Sequence, residues 1–305
     1  METIDTANLR EISQTLMAEK AGLPRRYLLD KISLGKEPRI KVLRGFRGVG
    51  KTTALLQLGG EKAVYVSMDN PNARAHSLYS LGKRLFHAGF STLLFDEVHT
   101  CPNWKADAKA LYDEFSSLNL VLSASAPLAF EPERRFDIID AGPLSLREFA
   151  HLQGDSREPS DGWQSEDGAI RFLARFPKAY EYHGHYLSGG GFPTYLTHGE
   201  KTLGSIYPSM LKSIREDSVF FARVSGADIV AMEKILLLLA SAPLGEFSAN
   251  SLGSNAGVSR NKIYEIVSLM EGMKILRYVR PYGSGSKLVR GEPKLMFCHP
   301  NLRSA

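Results

Sequence analysis

The sequence is poor in cysteine, with Cys101 and Cys298 as the only two in the chain. Two isolated cysteines are too few for a disulfide framework or for a structural zinc site. We therefore expect both to be ordinary packing residues, and their scarcity fits a reducing compartment.

Long apolar runs are missing as well. No stretch approaches the length of a membrane span, and the N-terminus, M-E-T-I-D-T-A-N, has neither the basic start nor the apolar core of a signal peptide. These absences predict a soluble, cytoplasmic protein with no membrane partner.

The composition is that of a globular protein, with 43% hydrophobic and 23% charged residues. A chain of 305 residues has room for two or three domains, each large enough for its own core. The net charge of +5 and the pI of about 9.1 are weak indicators of a polyanionic partner.

One stretch, from Arg39 to Thr53, combines a short apolar strand, a glycine-rich turn and a helix start, R-I-K-V-L-R-G-F-R-G-V-G-K-T-T. It contains a complete P-loop, G-x-x-x-x-G-K-T, whose backbone N–H groups hold the phosphates of a nucleoside triphosphate. Lys51 is predicted to reach the β- and γ-phosphates, and the Thr52 hydroxyl to bind Mg²⁺. The predicted nucleotide-binding residues here are Gly45, Arg47, Gly48, Val49, Gly50, Lys51, Thr52 and Thr53.

A second buried strand, T-L-L-F from Thr92, runs directly into Asp96 and Glu97. Because parallel strands end at one edge of a sheet, these carboxylates are expected beside the P-loop. Asp96 is predicted to hold the magnesium shell, and Glu97 to orient and activate a water facing the γ-phosphate.

The next strand ends in S-A-S-A, where either Ser123 or Ser125 could sense the γ-phosphate, or the serines could form a plain strand-end turn. Arg134 and Arg135 precede the last predicted strand, Phe136 to Asp140, at the face away from their own P-loop. In an oligomer such an arginine can complete a neighbour's site; the alternative is an exposed charge pair.

The basic pair Arg25 and Arg26 lies at a break in the N-terminal helical segment, just before the first strand. It is interpreted either as a solvated turn or as part of a segment that covers the nucleotide base.

Taken together, G-F-R-G-V-G-K-T-T, L-L-F-D-E-V-H-T-C-P-N-W, S-A-S-A and A-G-P-L-S-L-R-E-F resemble a group of prokaryotic P-loop ATPases of the AAA+ superclass, near relatives of archaeal-type signalling ATPases. The resemblance runs from about Arg25 to the end of the chain, although the group's usual T-G-S-S is S-A-S-A here. It implies ATP and Mg²⁺ as ligands and a helical lid after the sheet. The turn G-F-P is similar to a signature in which the proline, here Pro193, lies against the nucleotide. Members of the group often continue beyond the point where this chain ends, so a further C-terminal region is one expectation.

The last part of the chain predicts a helix, a short helix, a third helix from Ser259 to Glu271 and a two-stranded ribbon, which is the order of a winged helix. The ribbon's loop carries Lys287, Arg290 and Lys294, which could contact duplex DNA. The third helix has a mixed rather than basic outer face, so docking on a protein is the alternative.

The predicted fold is α/β: a P-loop NTPase parallel sheet sandwiched by helices over residues 1–152, a linker and all-α lid over 153–224, and a winged helix over 225–305. The predicted function is an ATP-hydrolysing AAA+ type protein, a homo-oligomer, that works on DNA as a motor or loader. The alternative is a slow nucleotide-dependent switch that recruits a protein.

Overall fold

The structure, a computed structural model, describes residues 5–37, 39–125, 134–155, 165–218, 224–243, 247–279, 282 and 294–305. The chain divides into two compact units. The first consists of Met1–Gly45 and Val49–Gly142, and the second of Phe46–Gly48 and Pro143–Ala305.

The first unit is built on a five-stranded sheet whose strand order is β2-β3-β4-β1-β5, with every neighbouring pair parallel. Its strands are β1 (Ile40–Arg44), β2 (Ala63–Ser67), β3 (Thr92–Asp96), β4 (Asn119–Ala124) and β5 (Phe136–Asp140). All five residues of β3 are buried, as expected for an inner strand covered on both faces. The predicted parallel sheet flanked by helices is confirmed.

Helical segments precede β1 and lie in the connections between the later strands. They are α1 (Thr6–Ala21), α2 (Lys51–Gln57), α3 (Pro71–Arg74), α4 (Leu78–His87) and α5 (Trp104–Glu114), with short 3₁₀ segments at Tyr27–Lys31 and Val98–Thr100. The α1 helix packs along the edge strand β2, where the Ser13 hydroxyl accepts a hydrogen bond from the Tyr65 N–H at 2.8 Å. An otherwise unpaired sheet edge is thereby covered.

The second unit is mainly helical. Its elements are α6 (Leu146–Leu152), α7 (Glu166–Arg175), α8 (Ala179–His185), α9 (Tyr195–His198), α10 (Leu203–Lys212), α11 (Gly226–Ser241), α12 (Ala249–Ala256), α13 (Arg260–Gly272), β6 (Leu276–Val279), β7 (Lys294–Phe297) and α14 (Pro300–Ser304). Two π-helical turns, Tyr186–Gly190 and Ser213–Asp217, extend α8 and α10. The strands β6 and β7 pair antiparallel.

The first unit ends at Gly142, and the predicted end of the first domain at residue 152 stays a prediction. The finer division into a lid and a winged helix stays a prediction. Both cysteines are free thiols, with Cys101 buried and Cys298 partly buried. Among the described residues, no helix combines the length and the apolar character that crossing a membrane requires.

Candidate nucleotide site

The glycine-rich turn follows β1 and leads into α2, as the motif predicts. A Cβ on Gly45 would lie 2.0 Å from the Ala141 carbonyl oxygen, so no other residue fits without moving the backbone. Gly50 caps α2 with φ of 87°, a left-handed conformation that favours glycine. The two glycines therefore fix the course of the loop at its start and its end.

Lys51 is the first residue of α2 and is almost fully buried, with 5% exposed. Its Nζ donates to the Gly45 carbonyl oxygen at 3.0 Å, so the side chain folds back onto the first residue of the glycine-rich turn. A buried lysine needs such partners, and phosphate oxygens would serve the same ammonium group.

Asp96, at the end of β3, is bound by hydroxyl groups from three different strands and helices. Thr52 Oγ1 donates to Asp96 Oδ2 at 2.6 Å, and Tyr65 OH donates to the same oxygen at 3.0 Å. Ser123 Oγ, from β4, donates to Asp96 Oδ1. This places the predicted metal ligands Thr52 and Asp96 in direct contact.

The pair of Thr52 and Asp96 suits a magnesium ion. Mg²⁺ takes oxygen ligands and is commonly held by one or two carboxylates or hydroxyls together with the phosphates of its substrate. A hydroxyl and a carboxylate that meet at the mouth of a P-loop fit that description.

Glu97 follows β3 in a left-handed conformation, with φ of 53° and ψ of 39°, which is uncommon for a residue with a side chain. Ser125 holds its carboxylate twice: the backbone N–H donates to Oε2 at 3.0 Å and the hydroxyl donates to Oε1 at 2.6 Å. His99 Nδ1 lies 3.2 Å from Glu97 Oε2.

These contacts decide the charge of Glu97. Burial alone raises the pKa of its carboxyl group, but hydrogen bonding to His99, the positive charge of Lys51 and the Ser125 hydroxyl outweigh burial and lower the pKa to about 2. Glu97 is therefore ionised and firmly held in this structure.

The two serines that the sequence offered as sensors have different partners. Ser123 binds Asp96, whereas Ser125 binds Glu97. Of the two, Ser125 contacts the residue predicted to activate water; its role as the sensor stays a prediction.

Sequence reasoning missed Tyr65 and His99 and left two interpretations open for Arg26. Tyr65 lies in an ordinary apolar strand, and His99 carries no signal beyond its position two residues after Glu97. Arg26 is 9% exposed and donates to the carbonyl oxygens of Val49 and, at 3.2 Å, Gly142, so the interpretation as a solvated turn is wrong for this residue. Backbone carbonyls such as those of Val49 and Gly142 give no pattern that a sequence could display.

The remaining loop residues, Phe46–Gly48, belong to the second unit. There the Phe46 ring packs edge-on against Phe192 at 6.1 Å, in the turn that also carries Pro193. Arg47 pairs with Asp217 at 3.2 Å and with Glu216 at 3.4 Å. The predicted contact of Arg47 with nucleotide stays a prediction, as does that of Thr53 and Pro193.

Arg134 and Arg135 lie just before β5, at the sheet edge opposite the P-loop, and both are exposed. Arg135 Nε lies 3.1 Å from Asp113 Oδ1, a surface ion pair. In the C-terminal ribbon, Lys294 is exposed at the start of β7. Lys287 and Arg290 lie outside the described residues.

Comparison with known families assigns two parts of the chain. Residues 37–150 match the family model of the AAA domain, and residues 181–305 match a domain of unknown function, DUF8612. The first match contains the P-loop, both carboxylates and the arginine pair. Residues 37–150 are therefore similar to an AAA domain.

An uncharacterized protein of Methanocaldococcus jannaschii is 25% identical over 310 residues, covering 91% of this chain and 64% of its own length. The chain thus spans 64% of the length of this curated relative.

Among solved structures, a variant of RuvB from Thermotoga maritima has 13% identity and a TM-score of 0.39, with 91% of this chain and 90% of that chain covered. AMPPCP-bound DnaA from Aquifex aeolicus has 12% identity and a TM-score of 0.27, with 86% of each chain covered. A signal transduction ATPase with a tetratricopeptide repeat sensor from Pyrococcus horikoshii has 11% identity and a TM-score of 0.30, with 93% of this chain and 43% of that chain covered.

Proposed function

We propose that this protein binds ATP with Mg²⁺ and hydrolyses it. In this proposal Lys51 neutralises the β- and γ-phosphates, Thr52 and Asp96 hold the ion, and Glu97 orients the attacking water and takes its proton. The ion would supply charge stabilisation at the phosphoryl oxygens. The proposal thus assigns phosphate and metal binding to Lys51, Thr52 and Asp96. It assigns the activation of water to Glu97.

The observation that carries the proposal is that the adjacent carboxylates of Asp96 and Glu97 bind different partners. Asp96 accepts the Thr52 hydroxyl at 2.6 Å, whereas Glu97 points away to Ser125, with its Oε1 2.6 Å from that hydroxyl. A metal ligand and a general base require different surroundings, and these two carboxylates have them.

The hold on Glu97 favours a slow nucleotide-dependent switch over a fast motor. A carboxylate with a pKa of about 2 is a weak base, and the two hydrogen bonds from Ser125 stabilise its ionised form and its present orientation. ATP would then stay bound until a partner or a rearrangement releases Glu97, and the bound state would recruit a protein.

The test uses two variants with opposite effects on binding. Lys51→Ala should abolish nucleotide binding, because the phosphates lose their main cation. Glu97→Gln should keep ATP bound and lower the turnover number by about 10²–10⁴-fold, which is the usual contribution of a general base. Binding is measured with a fluorescent ATP analogue and turnover by phosphate release.

The exposed Glu61→Gln is the matched control, since it removes a carboxylate outside the site and should change neither quantity. Hydrolysis by Glu97→Gln at the wild-type rate would show that Glu97 is not the base.

The C-terminal elements support DNA as a second candidate partner. The order α11, α12, α13, β6, β7 is that of a winged helix, with Lys294 exposed on the hairpin. The third helix argues for a protein instead, because Lys262 is paired with Asp228 and with Glu265, each at 3.2 Å. A cation that is already paired contributes less to phosphate binding.

Salt-dependent DNA binding separates these candidates. If DNA is the partner, changing Lys287, Arg290 and Lys294 together to Ala should weaken duplex binding and reduce the slope of log K against log salt by about 0.9 for each lost contact. Duplex DNA should also stimulate the ATPase rate. If the wild type does not bind DNA at low salt, DNA is not the partner. The switch that recruits a protein is then the remaining candidate.

A further inference from the structure

The surroundings of Asp96 contain one side-chain donor, from β2, that no sequence motif indicated. This carboxylate is only 2% exposed, and its two oxygens accept from the Thr52, Tyr65 and Ser123 hydroxyls and, at 3.1 Å, from the Glu97 N–H. A buried carboxylate needs such donors to stay charged. Thr52 belongs to the P-loop motif and Ser123 to the next strand, which leaves Tyr65 to be explained.

Tyr65 is itself held in place from both sides. It lies in β2, opposite Leu94 of β3, and its backbone N–H donates to the Ser13 hydroxyl of α1 at 2.8 Å. Its ring is 6% exposed. The phenol therefore reaches Asp96 from a fixed strand and not from a mobile loop.

The geometry makes the hydroxyl of Tyr65 the donor in this contact. Tyr65 OH lies 3.0 Å from Asp96 Oδ2, and the oxygen of a carboxylate can only accept.

We propose that Tyr65 is a positioning residue for the magnesium site, because its hydroxyl fixes the Asp96 carboxylate in the orientation from which that group serves the ion. The proposal rests on the proposed function in one respect, the assignment of Asp96 to the metal. When Thr52 turns its hydroxyl oxygen to an ion, Asp96 Oδ2 keeps Tyr65 as a donor. Groups that orient a metal ligand in this way strongly affect metal affinity.

Tyr65→Phe removes the hydroxyl and keeps the ring that packs in the core. The measurement is the affinity of a fluorescent, non-hydrolysable ATP analogue, first in EDTA and then at increasing Mg²⁺. The variant should bind the analogue in EDTA as the wild type does, but need about tenfold more Mg²⁺ for half of the metal-dependent gain in affinity.

The matched control is Tyr112→Phe, because the Tyr112 hydroxyl also donates to a carboxylate, Glu37 Oε2 at 2.6 Å, on the exposed surface. It should leave the Mg²⁺ dependence unchanged. Asp96→Asn tests the underlying assignment in the same assay and should shift the Mg²⁺ dependence at least as far as Tyr65→Phe.

An unchanged Mg²⁺ dependence in Tyr65→Phe, with a shift in Asp96→Asn, would overturn the role of Tyr65 alone. No shift in either variant would overturn the metal assignment of Asp96 and this inference with it. Equal loss of binding in EDTA and in Mg²⁺ would also overturn it, since Tyr65 would then support the fold and not the metal site.

Discussion

The two units of the chain bury polar groups by different means. At the nucleotide site of the first unit, parallel strands end side by side, and polar residues at their ends meet there: Asp96 is the last residue of β3, and Ser123 lies near the end of β4. At the turn Tyr186–Gly190 of the second unit, single side chains from distant parts of the chain bind the backbone directly, as Arg26 also does in the first unit. The first arrangement gathers groups for chemistry, whereas the second fixes the course of the chain.

Asn301 shows the second arrangement most clearly. Its side chain is fully buried; Oδ1 accepts from the Gly191 N–H at 2.7 Å, and Nδ2 donates to the carbonyl oxygens of Tyr186 and Leu187 at 3.0 and 2.8 Å. The carbonyls belong to the π-helical turn at Tyr186–Gly190. Asn301 therefore binds the backbone at an irregular turn, where regular helical hydrogen bonding is disturbed.

His299 joins the same arrangement. Because the Tyr186 hydroxyl donates to the Leu144 carbonyl oxygen at 2.7 Å, it must accept from His299 Nε2, also at 2.7 Å. Nδ1 of His299 then accepts from the Asn301 N–H at 3.2 Å. Burial lowers the pKa of His299 to about 4, so the ring is neutral, as these contacts require.

From this difference we expect that removing a polar group of the nucleotide site changes the ATPase rate. Removing a polar group that binds the turn at Tyr186–Gly190 should change local stability instead. The predictions below test this contrast.

The largest effect is expected if the nucleotide site of one chain needs an arginine from a neighbouring subunit. If Arg134 or Arg135 completes the site of a neighbouring subunit, changing both to Ala should lower the turnover number by about a thousandfold or more. Mixing this variant with Lys51→Ala, itself inactive, should restore part of the activity, because some sites then combine an intact P-loop with an intact arginine.

Co-assembly of the two variants is checked first by native mass measurement. A mixture that co-assembles and stays inactive would contradict a shared site, and so would a wild-type rate that is independent of protein concentration in a monomer.

A smaller effect is expected in the second unit. Asn301→Ala would leave the Gly191 N–H and two carbonyls without their partner, at a cost of about 2 kcal/mol, or about thirtyfold in local opening. Hydrogen exchange of the Gly191 amide measures this directly. Asn255→Ala, which removes an exposed side chain bound to the Ser251 carbonyl oxygen, is the control and should leave Gly191 unchanged.

An unchanged exchange rate at Gly191 would show that Asn301 does not hold this turn, and the contrast between the two units would then fail.

The smallest effect concerns the hold on Glu97. A hydrogen bond to a charged group is worth about 1.5–3 kcal/mol, so Ser125→Ala should release Glu97 and raise the basal ATPase rate by about tenfold. Ser123→Ala is the matched control, since its hydroxyl binds Asp96, and it should not raise the rate. A fall in the rate of Ser125→Ala would mean that this hydroxyl takes part in turnover, as a γ-phosphate sensor would.

The sequence by itself determined the first unit well. The P-loop pattern predicted the course of Gly45 to Thr52, and the predicted last strand, Phe136 to Asp140, has the bounds of β5 in the structure. The junction of an apolar strand with Asp96 and Glu97 predicted their place near Thr52. These predictions succeed because a motif and a strand period are local, and a parallel sheet brings strand ends together without further information.

Only the tertiary structure decided which groups hold the two carboxylates and what Arg26 and Asn301 do. Tyr65 and Asp96 are 31 residues apart, and Gly191 and Asn301 are 110 apart. Each contact depends on how separate elements pack, and the partner is often a backbone N–H or carbonyl, which every residue carries. A sequence marks the side chains that can form such bonds, but the fold selects the ones that do.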